Sequence, residues 1–411
     1  MFANIAILVK IGGFVKLIFK DRLIKFTLHR IDVRAVYLSY IAMSYRILYV
    51  SEAVTFGGAE RYLAILWERM DRGRFRPALF CHPDTPGALV EKARDLDVAV
   101  RFVAPVRGKW DVAGMAQQRR LFREAGADLI HFNLFNAYQG QYSILAARWA
   151  GGSKRVATYH LPPRVRTASL RGRLLECAVV ASLDRVIAVS ESSANLLVRF
   201  FEVPRDRLAV VWNGIEIDRF IPGSGTVYEV LKGRRVVITV GRLTEQKGLS
   251  LLIDAAPRVI RAVPDAGFLI VGDGPLRSEL EQAARASGAK IIFAGERRDV
   301  HGLIRGAQVL ALPSAYEVGP PLVVMEAMAC GRPVVASNVD GMEAGVVDGE
   351  TGILVPSGDA ERLADALIGL LSDPARCEEM GRKGRARVEA HFSAARMAGE
   401  TQAVYEACLK T

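Results

Sequence analysis

Arg242 and Lys247 lie in the run Val240-Gly241-Arg242-Leu243-Thr244-Glu245-Gln246-Lys247-Gly248, where the residue pattern ends a strand at Val240 and begins a helix near Gly248. Two cations in a loop at the carboxyl edge of a sheet suit an anion. Arginine offers phosphate a planar fork and lysine a mobile point charge, so together they can hold a diphosphate and stabilise it as it leaves. A second run, Pro313-Ser314-Ala315-Tyr316-Glu317-Val318-Gly319-Pro320-Pro321, leads into an apolar helix over 322–330, with proline at its first turn, Gly331 just past its end and Pro333 beyond. The free N–H groups and dipole at that helix start make an anion site, and Gly319 lets the backbone approach it closely. Glu326 is the only charged residue in this helix. Buried without a partner it would be costly, so hydroxyl donors from a ligand such as ribose are one explanation and a structural hydrogen bond the other.

These residues need sheets to present them. From Arg46 onward, short β-branched runs alternate with helical stretches, at 47–50, 98–103, 129–132, 156–158 and 186–189. After Val210-Val211-Trp212-Asn213-Gly214 the pattern restarts, at 236–240, 268–271, 291–293, 309–312 and 334–336. Alternation of this kind means parallel sheets, and continuously apolar runs mean strands covered on both faces. Pro222-Gly223-Ser224-Gly225 is the linker candidate. A chain of 411 residues exceeds one core. The expected fold is therefore α/β, with two doubly wound Rossmann-like parallel-sheet domains facing across a cleft and ligands beyond the carboxyl ends of the strands. The expected domains are 44–221 and 222–392, preceded by an extension over 1–43 and followed by a helix over 393–411 that packs back on the N-terminal domain.

Composition, 51% hydrophobic and 24% charged, excludes disorder. The net charge of +11 points to acidic partners without choosing among them. Five scattered cysteines, none spaced as C-x-x-C, argue against a disulfide framework and against structural zinc, and fit a reducing cytoplasm. In the leader, Phe2 to Phe19 is nearly all apolar but broken by Lys10, Gly12-Gly13 and Lys16. Seven Lys or Arg against Asp21 and Asp32 give it 7 − 2 = +5. Such a stretch is poor for a spanning helix and suits an interfacial helix on an anionic membrane surface; an upstream segment of little consequence to the enzyme is the other reading. No G-x-x-x-x-G-K-[ST] loop occurs, and Gly272-Asp273-Gly274 lacks the third glycine of a dinucleotide fingerprint, Arg277 standing in its place. Asp95-Leu96-Asp97, the only D-x-D sequence, reads as a solvated helix end, so no metal site is expected. No basic stripe with interleaved aromatics appears, and nucleic acid is not expected as a partner.

Gly57-Gly58-Ala59-Glu60, Asn213-Gly214-Ile215, Gly241-Arg242 with Lys247-Gly248, Gly272-Asp273-Gly274-Pro275, and Pro313-Ser314 with Glu317, Glu326 and Gly331-Arg332-Pro333-Val334-Val335 together resemble the retaining glycosyltransferase family four, of GT-B fold, from about Arg46 to Phe392. The resemblance implies a nucleoside-diphosphate sugar as donor, most readily UDP or GDP, and no cofactor. It implies that Arg242 and Lys247 bind the donor diphosphate, Glu326 the ribose and Glu317 the donor sugar. The Gly57-Gly58 turn would let the N-terminal lobe approach the phosphates, and His160 would contact the transferring sugar. Glu296, Arg297 and Val300 would line the base, with Asn213, Gly241, Gly272, Gly319 and Leu322 completing the donor site. Family members usually place seven residues between the two glutamates; here eight lie between Glu317 and Glu326, and Leu161 follows His160 where an acidic residue often stands. The implied reaction retains anomeric configuration, the acceptor hydroxyl attacking the face from which the diphosphate departs, with Arg242, Lys247 and the helix dipole doing what a metal does elsewhere. Arg164, Arg166, Arg171 and Arg173 and the basic leader suggest a lipid-linked or phosphorylated acceptor at the inner face of the cell membrane, a saccharide acceptor being the other class. Bacterial envelope or exopolysaccharide synthesis is the setting implied. A catalytically inactive anion- or nucleic-acid-binding module on the same scaffold is the rival.

Overall fold

The computed structural model describes residues 8–11, 14–19, 22–27, 44–136, 138–164, 169–226 and 228–410. Two compact units emerge, one of residues 1–45 with 71–76 and one of residues 46–70 with 77–411. In the first unit, β1 (Leu8–Ile11), β2 (Phe14–Phe19) and β3 (Arg22–Thr27) form an antiparallel meander, so the expectation of an interfacial helix is corrected. Ile11 pairs with Phe14 and Phe19 with Arg22. In sequence terms a Gly-Gly pair would cost a helix interior about 1 kcal/mol per glycine. Arg30 and Arg34 lie outside the described residues. No helix among the described residues is long and apolar enough to cross a membrane.

The second unit carries nearly all of two parallel sheets. The first contains β4 (Tyr45–Ser51), β5 (Phe75–Cys81), β6 (Ala99–Phe102), β7 (Leu129–Asn136), β8 (Lys154–Leu161), β9 (Arg185–Ala188) and β10 (Leu208–Val210), in the order β10-β9-β8-β7-β4-β5-β6. The second contains β11 (Arg235–Val240), β12 (Ala266–Val271), β13 (Ile291–Phe293), β14 (Val309–Leu312), β15 (Val334–Ser337) and β16 (Gly352–Val355), in the order β13-β12-β11-β14-β15-β16. Both are doubly wound. The order reverses between β4 and β7 in one lobe and between β11 and β14 in the other, and ligand crevices form where it does.

Alternation within the central strands builds two cores. Ile238, Leu310, Leu312, Val334 and Ala336 join the apolar helix Leu322–Ala329 on one face, whereas Val237, Val309, Ala311 and Val335 meet the helices Leu249–Ala262 and Ala360–Ser372 on the other. With both faces covered, no polar side of the sheet is left to read in the sequence. The D-x-D sequence ends the helix Gly87–Asp95 and turns at Asp97, as expected of a solvated helix end.

The chain crosses between lobes twice, side by side. Ile215 N–H donates to Phe392 O and Ala394 N–H to Ile215 O, both at 2.9 Å. A side chain at Gly214 would sit 2.5 Å from Ser393 O, so the crossing needs glycine there. The last helix, Ala394–Leu409, then lies on the first lobe, where Thr401 meets Tyr62 at 3.2 Å and the Tyr405 hydroxyl meets those of Tyr49, at 3.1 Å, and the ring of His131.

Candidate donor site at the lobe crevice

Three loops converge at the carboxyl edge of the second sheet because glycines let their backbones touch. Gly272, at φ 129°, presses on Gly241 O, and Gly248, at φ 57°, on Pro313 O, each too closely for any side chain. Ala315 N–H then donates to Gln246 O at 2.8 Å, locking the loop after β11 to the loop after β14. This carries the Lys247 ammonium to Glu317 Oε1 at 2.5 Å. Ser314 Oγ donates to the same oxygen at 2.8 Å, and Gln246 Nε2 reaches Oε2 at 3.4 Å. Glu317, 7% exposed, is thus an ion-paired acceptor rather than a solvated carboxylate.

Arg242 is exposed on the crevice side and stacks its guanidinium over Phe135, the penultimate residue of β7 in the facing lobe, at 5.4 Å. Across from it the helix Gly58–Arg69 begins. Gly57 N–H donates to Glu60 Oε2 at 2.8 Å, and open space stands beside Gly58. Burial raises the pKa of Glu60, and the charge of Arg242 opposes that rise. The starts of this helix and of the helix Leu322–Ala329 offer two N-termini of the kind that can take an anion.

Glu326 is 1% exposed, and its partner is a residue the sequence did not nominate: Arg61, on the facing lobe, donates from Nη2 to Glu326 Oε1. The carboxylate is therefore not orphaned: a structural hydrogen bond, the second of the two explanations left open by the sequence, is present. Gly319 packs against Ser190 Cβ, to which a side chain there would come within 3.2 Å, and the Ser190 hydroxyl donates to Val318 O. Leu322 is buried at the helix start.

His160, in β8, is fixed by its neighbours. Asn133 Nδ2 donates to Ala59 O at 3.1 Å, which turns Asn133 Oδ1 toward His160 Nε2, 2.8 Å away. In the tautomer this implies, Nε2 carries the proton and Nδ1 is the acceptor. Burial pushes the ring's pKa down to about 3, and Tyr62 abuts it edge-on at 4.9 Å. Asn213 Oδ1 is buried with no partner among the described residues. At the far end of the crevice Arg297 chelates Asp299 with two 2.9 Å hydrogen bonds and stacks on Tyr228, while Glu296 is exposed and Val300 packs on the core. Of the arginines assigned to the acceptor, Arg164 instead bridges the lobes, to Asp340 at 3.1 Å and over Tyr316 at 5.6 Å. Arg171 and Arg173 are exposed, and Arg166 lies outside the described residues. No group of three His, Cys, Asp or Glu residues with metal-binding geometry occurs among the described residues.

Residues 56–219 match the family described as Glycosyltransferase Family 4, and residues 234–373 the one described as Glycosyl transferases group 1. The D-inositol 3-phosphate glycosyltransferase of Kribbella flavida is 34% identical over 288 residues, covering 63% of this chain and 67% of that protein. The UDP-Gal:alpha-D-GlcNAc-diphosphoundecaprenol alpha-1,3-galactosyltransferase of Escherichia coli is 26% identical over 64% of this chain and 71% of its own. Among solved structures, HepE of Anabaena in complex with UDP and glucose superposes with a TM-score of 0.72 at 21% identity, over 88% of this chain and all of that one. A glycosyltransferase of Rickettsia africae gives 0.75 at 20% identity, over 90% and 99%.

Proposed function

The chain belongs to glycosyltransferase family 4, among the group 1 glycosyl transferases, and is a glycosyltransferase of GT-B fold; on that premise we propose that it moves a sugar from a UDP- or GDP-sugar to a hydroxyl of a lipid-linked or saccharide acceptor, with retention. The convergence of Arg242, Lys247 and two helix N-termini on one crevice carries this reading. Fixed donors aimed at a departing diphosphate lower the barrier most where water is excluded. In the proposed step the acceptor oxygen bonds to the anomeric carbon as the bond from that carbon to the phosphate oxygen breaks. Both events occur on one face, and the acceptor proton passes to the leaving diphosphate. Arg242 and Lys247 hold that diphosphate, Glu326 the ribose and Glu317 the sugar hydroxyls. His160, neutral at working pH, offers Nδ1 to a sugar hydroxyl.

A bacterial envelope or exopolysaccharide role, at the inner face of the cell membrane, is part of the same proposal. The helix Leu170–Ala181 supports it, since Leu170 and Leu174 are 71% and 62% exposed on one face beside the exposed Arg171 and Arg173, a pattern suited to an anionic bilayer. The E. coli relative is named for a lipid-diphosphate acceptor, which favours that class here.

The test is a thermal-shift and hydrolysis screen against UDP-, GDP- and ADP-sugars with EDTA present, repeated on Glu326→Ala and Arg242→Ala. Stabilisation by one nucleotide, lost in both variants, is expected. No response to any of them would sink the donor site.

A further inference from the structure

Glu326 sits in a helix whose residues are all buried, and Arg61 is the one hydrogen-bond partner of its carboxylate among the described residues. That bond uses Oε1, and among the described residues Oε2 has no donor. Arg61 lies four residues past Gly57, on the helix whose first N–H groups open into the crevice. The geometry points to Arg61 as a positioning residue of the donor site, contributed by the facing lobe: it holds Glu326 by Oε1 and so turns Oε2 to take a ribose hydroxyl. This rests on the reading of Glu326 as the ribose carboxylate.

The physical case is one of burial and reach. Burying a carboxylate is costly unless a cation or several donors meet it, and Arg61 is the group that meets Glu326. Among the described residues no ion pair joins Glu326 to a cation of its own lobe. Arg61 supplies the charge from across the crevice. One helix therefore addresses two parts of the nucleotide, its N-terminus the phosphates and Arg61 the ribose through Glu326. Ribose binding and apposition of the lobes become one event.

The experiment compares UDP with 2′,3′-dideoxy-UDP (or the GDP pair, if the screen selects guanine) as competitors of donor turnover, in wild type, Arg61→Ala, Arg61→Lys and Glu326→Gln. Hydrogen bonds to a charged group contribute roughly 10- to 100-fold. Wild type should prefer the ribonucleotide by about that factor. Arg61→Ala should lose most of the preference and raise donor KM about tenfold or more, with kcat changed far less, and Arg61→Lys should restore part of both. A merely structural clamp would lower thermal stability and leave the ribose preference alone; that result in Arg61→Ala overturns the proposal. If Glu326→Gln also keeps the preference, the ribose reading of Glu326 fails with it. If Glu326→Gln loses the preference while the Arg61 variants keep it, only the role of Arg61 falls.

Discussion

Gly248→Ala tests whether the loop contact that brings Lys247 to Glu317 depends on a missing side chain. Gly349→Ala is its control, since Gly349 is also left-handed, at φ 74° against 57°, and nothing stands within 4 Å of its added carbon. A side chain in that conformation costs about 1–2 kcal/mol, partly offset by about 0.4–1 kcal/mol from a less flexible unfolded chain, so Gly349→Ala should destabilise by about 1 kcal/mol. At Gly248 the added carbon also falls on Pro313 O, an atom of the backbone that no rotamer change can move. Overpacking of that kind adds about 1–3 kcal/mol, giving about 2–4 kcal/mol in total. The loop must shift to relieve it, and the shift separates Lys247 from Glu317, so donor KM should rise in Gly248→Ala alone. Urea midpoints and donor KM for both variants decide the matter. Equal destabilisation with unchanged KM would refute the claim that this contact sets the site.

Burial holds His131 and His160 down to about 3, His131 also feeling the charge of His160. Both are neutral when folded and gain protons on unfolding, so their contribution is complete above the ordinary pKa near 6.5 and is lost as pH falls from there toward 3. Urea midpoints should decline over that window, and less steeply in His131→Gln; parallel profiles would contradict the assignment. Leu170→Glu with Leu174→Glu should reduce sedimentation with anionic vesicles while leaving turnover of a water-soluble acceptor unchanged. Vesicle binding equal to wild type would remove that helix from the membrane reading.

Both sheets were legible because buried parallel strands are written as apolar runs, and ten such runs coincide with observed strands. Three strands of these sheets escaped, β5, β16 and the three-residue β10, the first two for evident local reasons. In β5, Arg76-Pro77 interrupts the apolar pattern, and β16 is four residues long between the Gly349 turn and Pro356. The leader misled in the opposite sense, because its hydropathy was weighed above its Gly-Gly turn signal. At the site, the cations and Glu326 stood out as charges at helix and strand ends. Their partners did not, because the Arg61–Glu326 pair spans 265 positions and Arg164–Asp340 spans 176. Nothing local in the chain records which residues two facing lobes bring together. Arg164, read as an acceptor contact, illustrates the point, since its charge and ring partners both lie on the other lobe.

The eight-residue interval between Glu317 and Glu326 can now be judged by what it touches. Pro321 caps the helix at Leu322, which fixes the phase of Glu326 from the helix start and not from Glu317. The remainder, Val318 to Pro320, is loop pressed against the facing lobe and its own neighbours: Ser190 on Val318 O and Gly319, and Pro320 against Gly345, where a side chain would come within 2.6 Å. Each carboxylate keeps a separate cation, Lys247 for Glu317 and Arg61 for Glu326. The two anchors are therefore independent, and deleting Pro320 should pull Glu317 out of register with Lys247 while leaving Glu326 in place. Nucleotide binding should survive and sugar transfer should fall, a split that calorimetry with UDP or GDP beside a transfer assay would read directly. Loss of nucleotide binding in that variant would mean that the loop positions the whole helix, and that the two carboxylates act as one unit.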